Sequence, residues 1–201
     1  GALAVDDHRP PTPTEPLIEL PLPVALSTDF ALGHFTLSGA NALNLSDIQG
    51  HYAYGVSSGE AAAGLPASVT QRHQLRLDQL LWNQGRYSAQ LQLGAQAPMP
   101  VVASLQATLR TPLPQGETVS LQLEASAHGT LSGPEAQISV EAKAQDAEQQ
   151  GKAQSADLRA VLRPWAKQPV VEAELHAQAL NLASLWPQAP QTALSGQLLA
   201  R

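Results

Sequence analysis

Six histidines, at positions 8, 34, 51, 73, 128 and 176, are the side chains of this 201-residue chain best suited to hold a metal or move a proton near neutral pH. No two of them stand three or four residues apart, the spacing that would put a pair of ligands on one helix face. His34, His73 and His128 adjoin expected turns, where an imidazole is ordinarily solvated. The chain has no cysteine, which excludes thiolate metal sites and disulfides. Ser132 and Ser195 each precede a glycine, but neither lies in the G-x-S-x-G turn that exposes a nucleophile. A carboxylate pair for glycoside cleavage would have to come from Asp47, Glu60, Asp78, Glu117, Glu124 or Glu135. Most of these alternate with apolar residues or fall in turns, where a carboxylate faces water. No glycine-rich loop precedes a helix pattern, so nothing cradles a phosphate or dinucleotide. The chain is therefore expected to be non-enzymatic, with no metal and no cofactor. Trp82, Trp165 and Trp186, with Tyr52, Tyr54 and Tyr87, are the remaining chemistry: a stacking platform for a sugar, or large caps over an apolar interior at strand ends.

The elements that would carry these residues read as strands. Apolar residues alternate in five successive segments: Val101 to Leu109, Val119 to Ala127, Ala136 to Ala144, Ala156 to Leu162 and Val171 to Ala177. Between them stand Gln, Ser, Thr, Glu, Lys and Arg. A period of two puts the apolar side chains on one face of a sheet and the polar ones on the other. Upstream, alternation begins near Phe30 and recurs through His34–Ser38, Ala42–Ser46 and His51–Tyr54. Gln71–Trp82 mixes alternation (Leu75, Leu77) with helical spacing (Leu77, Leu80, Leu81), and a strand is favoured because Asn83-Gln84-Gly85 supplies a hairpin turn before Arg86–Leu93. Asn181–Trp186 reads as one helical turn capped by Asn181 and ended by Pro187. Short turns favour antiparallel pairing.

Residues 1–16 are a proline-rich acidic linker or inter-strand loop, 17–96 a first β section and 97–201 a second. Pro21 and Pro23 confine Leu17–Leu26 to a sheet edge if it is strand at all. Gln49-Gly50-His51-Tyr52 returns as Gln84-Gly85-Arg86-Tyr87, and Leu-Ser-Gly occurs at Leu37, Leu131 and Leu194, as in a stacked array. The chain starts and ends in mid-pattern and is expected to be a segment of a longer protein.

Charged residues are only 14% of the chain and aromatics 4%, while much of the apolar face is Ala. Alanine buries little surface, so such a face leaves either an open interior or tight sheet packing. A net charge of −6 without any Lys/Arg run argues against nucleic acid as a partner.

Leu180-Asn181-Leu182-Ala183-Ser184-Leu185-Trp186-Pro187-Gln188-Ala189-Pro190 followed by Leu194-Ser195-Gly196 resembles a recurring phrase of the TamB-like translocation and assembly proteins, relatives of AsmA. Leu43–Tyr52, Leu75–Asp78 through Gly85–Tyr87, Ala97–Pro100 and Arg163–Ala166 are similar to that family's hairpins, and the likeness runs from about Leu17 onward. The resemblance implies an all-β fold: a long, curved, mainly antiparallel sheet forming a taco-like trough with an apolar inner face. It implies a body that crosses the periplasm of a Gram-negative bacterium from an inner-membrane anchor outside this segment. The family is linked to phospholipid transport between membranes and to assembly of outer-membrane and secreted proteins with a barrel partner, TamA, docked through regions outside this chain. On this reading Leu105, Leu109, Leu121, Leu123, Ile138, Val140, Leu158, Leu162 and Leu175 line the trough and meet phospholipid acyl chains or unfolded β-strand clients. The alternatives are a closed β-sandwich that binds carbohydrate through a row of tryptophans and an inert structural spacer.

Overall fold

The computed structural model describes residues 16–37, 43–56, 71–83, 85–112, 118–146, 154–184, 190 and 192–201. Its strands are β1 (Leu26–Leu37), β2 (Leu43–Val56), β3 (Gln71–Trp82), β4 (Gly85–Gly94), β5 (Pro100–Pro112), β6 (Thr118–Thr130), β7 (Ile138–Asp146), β8 (Ser155–Leu162), β9 (Val170–Leu180) and β10 (Leu194–Ala200). They form one ten-stranded antiparallel sheet in sequence order, and β1 does not pair with β10, so the sheet is not closed. The five expected strands are all present, several longer than the alternation marks. Ala136 precedes β7 and lies buried in the turn before it. Residues 16–25 are not strand, in keeping with Pro21 and Pro23.

The ambiguous Gln71–Trp82 segment is a strand with a fault in it. Leu77 pairs with Ala89 and Leu80 with Tyr87, so β3 has one more residue than β4 in this interval. That bulge moves the apolar phase from Leu75 and Leu77 to Leu80 and Trp82. Asn83 takes the hairpin turn with a φ of 45°, a conformation asparagine tolerates well. From β4 to β8, by contrast, every ladder runs without a register shift.

Directly opposed residues in an antiparallel ladder point to the same face. Following the register sideways therefore traces rows across the sheet. One row is Leu91–Ala103–Ala127–Val140–Ala160–Ala173, and its neighbour is Ala89–Leu105–Ala125–Ala142–Leu158–Leu175. On the opposite face runs Ser88–Gln106–Glu124–Lys143–Asp157–His176. All five segments read from the sequence turn the same side to the same face.

Burial is concentrated at the two ends of the strands. At one end Ala95, Met99, Val101 and Ala136 are buried, and residues 17–20 run across as a strap. The Leu20 amide donates to the Ala95 carbonyl, the Gly133 amide to the Leu17 carbonyl and the Ser132 hydroxyl to the Ile18 carbonyl. The Trp165 indole donates to the Leu131 carbonyl at 2.7 Å, tying the β8–β9 turn to the β6–β7 turn at this same end. At the other end Leu109, Leu121 and Ala144 form a cluster, with Tyr87, Leu123 and Ala156 packed on it. A 3-10 turn, Leu182–Ser184, follows β9 and comes within 8 Å, Cα to Cα, of both β5 and β6. In a flat sheet β9 would lie about 19 Å from β5, four strand spacings, so the chain curls back over the sheet here. Asn181 caps this turn as expected, its Oδ1 accepting from the amides of Ala183 and Thr192. Trp186 and Pro187 fall outside the described residues.

The apparent sequence repeats are not structural ones. Gly50 is mid-strand in β2 whereas Gly85 opens β4, and one Leu-Ser-Gly lies in the β6–β7 turn while another starts β10. Gly129 has a specific reason: at φ 154°, a side chain there would run into the Gln137 carbonyl and Ile138 backbone of the neighbouring chain segment. Gly129→Ala is expected to cost at least about 2 kcal/mol by forcing β6 and β7 apart. Gly196→Ala, which meets nothing within 4 Å, should change stability by under about 1 kcal/mol. Urea unfolding of the two variants checks the contrast.

Candidate functional site: the half-exposed apolar band

The nine candidate lining residues all lie on the apolar face, but in two environments. Leu109 (6% exposed) and Leu121 (0%) are consumed by packing at the strand ends. Leu123 packs against that cluster while staying half-buried. Leu105, Ile138, Val140, Leu158, Leu162 and Leu175 are also half-buried, and among the described residues there is no second sheet. The two middle rows traced above are half-exposed at every position from β4 to β9. The result is an apolar band, one or two side chains wide, between two packed rims. Across six strands it runs about 24 Å.

Sequence reasoning found the face but not this division. Leucines at identical alternation differ in burial because the strap and the 3-10 turn cover only the strand ends, and both are distant in sequence from what they cover. The band also continues beyond the five alternating segments. Leu198 on β10 pairs with Leu175, and Leu77 on β3 pairs with Ala89. At the far side Phe30, Gly50 and Leu77 are in register, with Phe30 lying over Gly50.

The polar face is a solvated charge mosaic. Arg76 pairs with Asp78 at 2.9 Å, Arg159 with Glu141 at 3.8 Å and Arg201 with Glu172 at 3.4 Å. His176 lies 2.8 Å from Glu174, and this hydrogen bond, more than the nearby charges, holds the Glu174 carboxyl below its usual value. His51 pairs with Asp29 at 2.7 Å, and the histidines remain scattered. Among the described residues, no group of three or more His, Asp or Glu is placed to hold a metal ion. No helix among them is long and apolar enough to cross a membrane.

His73 is the exception to solvated histidines. It is buried at the strap end, with Nε2 2.6 Å from the Leu20 carbonyl and Nδ1 2.7 Å from the Tyr52 hydroxyl. A carbonyl only accepts, so Nε2 carries the proton, and His73 pins the strap to β3. Among the described residues the aromatic side chains do not form one platform. Trp82 stacks on Tyr87 (centroids 5.9 Å apart) at one end of the strands, and Trp165 is at the other. Compared with known proteins, the chain matches no family model, no curated protein and no solved structure.

Two measurements test the division of the leucines. Leu121→Ala is expected to cost about 2–5 kcal/mol in urea unfolding, the range for a fully buried leucine, and Leu158→Ala half of that or less. Burial also pushes the Tyr87 phenol above its ordinary value, and burial followed by Tyr54 does the same to Tyr52. The unfolded chain then ionises first as pH passes about 10, so the stability present below that pH falls above it. Tyr87→Phe should lose less stability between about pH 9 and about pH 11 than the parent chain.

Proposed function

We propose that this chain is a non-enzymatic β-groove segment of TamB-like type, whose curved sheet forms a trough that carries phospholipid acyl chains through the periplasm. The observation that carries the reading is the continuous half-exposed band between packed rims. A compact sandwich would cover these rows with a second layer, and an inert spacer has no use for them. Transferring a lipid through water exposes its tails at about 0.8 kcal/mol per methylene, or roughly 10–13 kcal/mol for a sixteen-carbon chain. An apolar surface that continues from strand to strand lowers that barrier without chemistry. Its rows run across the strands, which would make the sheet's long direction the direction of travel.

The alanines suit this role. Each adds only a methyl group to the surface, so no alanine along the band holds a tail strongly. The leucines and Val140 supply contact area at intervals. The separation of Trp82 from Trp165 removes the row of stacked rings that a carbohydrate module would use.

Native mass spectrometry of the chain purified from bacterial cells, with lipid extraction of the same sample, tests the proposal. Co-purifying phospholipid is expected. Leu158→Arg should fold with an unchanged circular dichroism spectrum, because a long cationic side chain on a half-exposed site reaches water, and should lose the lipid. A lipid-free parent chain, or lipid retained in Leu158→Arg, would sink the reading.

A further inference from the structure

We propose that Arg86 and Arg110 form a binding site for a phosphate-class anion at the β2–β5 corner of the polar face. Ser46, Leu81, Arg86 and Thr108 are in direct register across β2, β3, β4 and β5. Arg110 is two residues beyond Thr108 on β5 and therefore the diagonal neighbour of Arg86 on the same face. Arg86 and Arg110 line one open hollow of about 600 Å³ together with Thr108, Ser46, Asn44 and Asn83. Leu81, Trp82 and Gly85 also line it.

The charge arrangement is the anomaly. Elsewhere on the polar face the exposed strand arginines Arg76 and Arg159 each have a carboxylate within 4 Å, as does Arg201 just past the end of β10. Arg86 and Arg110 have none among the described residues. Asp78 and Glu124 border an adjoining hollow beside Arg86, but neither lies within ion-pair distance of it, and Asp78 is already bound to Arg76. Two like charges at diagonal sheet positions repel, in a chain whose net charge of −6 offers acidic residues in plenty. A phosphate between them removes the repulsion. Each guanidinium can present two parallel N–H donors to its oxygens, and the hydroxyls and amides of the cavity complete the shell. The cavity exceeds a bare phosphate, which leaves room for an ester substituent. This inference does not depend on the acyl-chain band, which occupies the other face.

Isothermal titration calorimetry of the whole chain with inorganic phosphate at low ionic strength tests it, alongside co-sedimentation with phosphatidylglycerol and phosphatidylcholine vesicles. Saturable binding of one phosphate, weakened by added salt and about tenfold weaker in Arg86→Gln or Arg110→Gln, is the expected result. Arg159→Gln removes the same charge from a paired arginine and should leave the affinity unchanged. Binding only to phosphatidylglycerol vesicles, lost in the same two variants, would support the site and assign its phosphate to a lipid headgroup. No saturable binding of either probe, binding retained in Arg86→Gln/Arg110→Gln, or an equal loss in Arg159→Gln would overturn the proposal. All three variants change exposed side chains, and circular dichroism confirms that each remains folded.

Discussion

The structure depends on parity in the antiparallel ladders from β4 to β8. A side chain's face is set by whether its position is odd or even along the strand, and one slipped residue would invert the entire strand. These ladders contain no bulge, so Leu105, Ala125, Ala142 and Leu158 stay aligned, and so do the charges behind them. Register shifts are confined to β2, β3, β9 and β10. The fault in β3 keeps the apolar phase continuous instead of breaking it. At Gly129 the backbone of β6 meets that of β7 too closely for any side chain, which fixes the alignment at one end of the pair.

Such a sheet cannot draw its stability from a central core. Among the described residues the largest fully enclosed side chains are Met99 and Leu121, and they lie at opposite strand ends. The ladder hydrogen bonds run through the middle, and packing is added where the strap and the 3-10 turn cross. Large apolar residues remain exposed along both open edges, among them Leu32 and Phe35 on β1 and Leu198 and Leu199 on β10. Open edges with unpaired backbone groups are places where another strand can add. The division of labour is consistent: rims hold the sheet together, and the band between them is left free.

Much of this was legible in the alternation. Five strands, a common apolar face, the Asn83 hairpin and the Asn181 cap all follow from spacing and residue type. Gln71–Trp82 looked partly helical because a one-residue bulge places Leu77 and Leu80 three apart, which is also helical spacing. The difference between Leu121 and Leu158 could not be read, since their local patterns are alike and only a distant segment covers one of them. Nor could the juxtaposition of Arg86 and Arg110, 24 residues apart, which exists only because Arg86 opposes Thr108. The family resemblance rests on short phrases, and the two repeats that seemed to support an array occupy different places in the strands.

The two faces of the sheet pose opposite physical problems. On the polar face Arg76 and Arg159 each have a carboxylate within 4 Å, whereas the diagonal pair Arg86 and Arg110 has none among the described residues. Along the two middle rows of the apolar face every position from β4 to β9 is half-buried, and that uniformity is itself informative. A site that holds one ligand needs a depth of contact that its neighbours lack, whereas a surface for passage needs successive positions to be nearly equivalent. Alanines are interspersed with leucines and Val140 along the middle rows, so a tail displaced by one strand exchanges one set of methyl contacts for another. The energy difference between such positions is a few methylene contacts at most, small beside the cost of leaving the surface for water. If the band carries lipid, the near-equivalence of its successive rows is what permits movement along it.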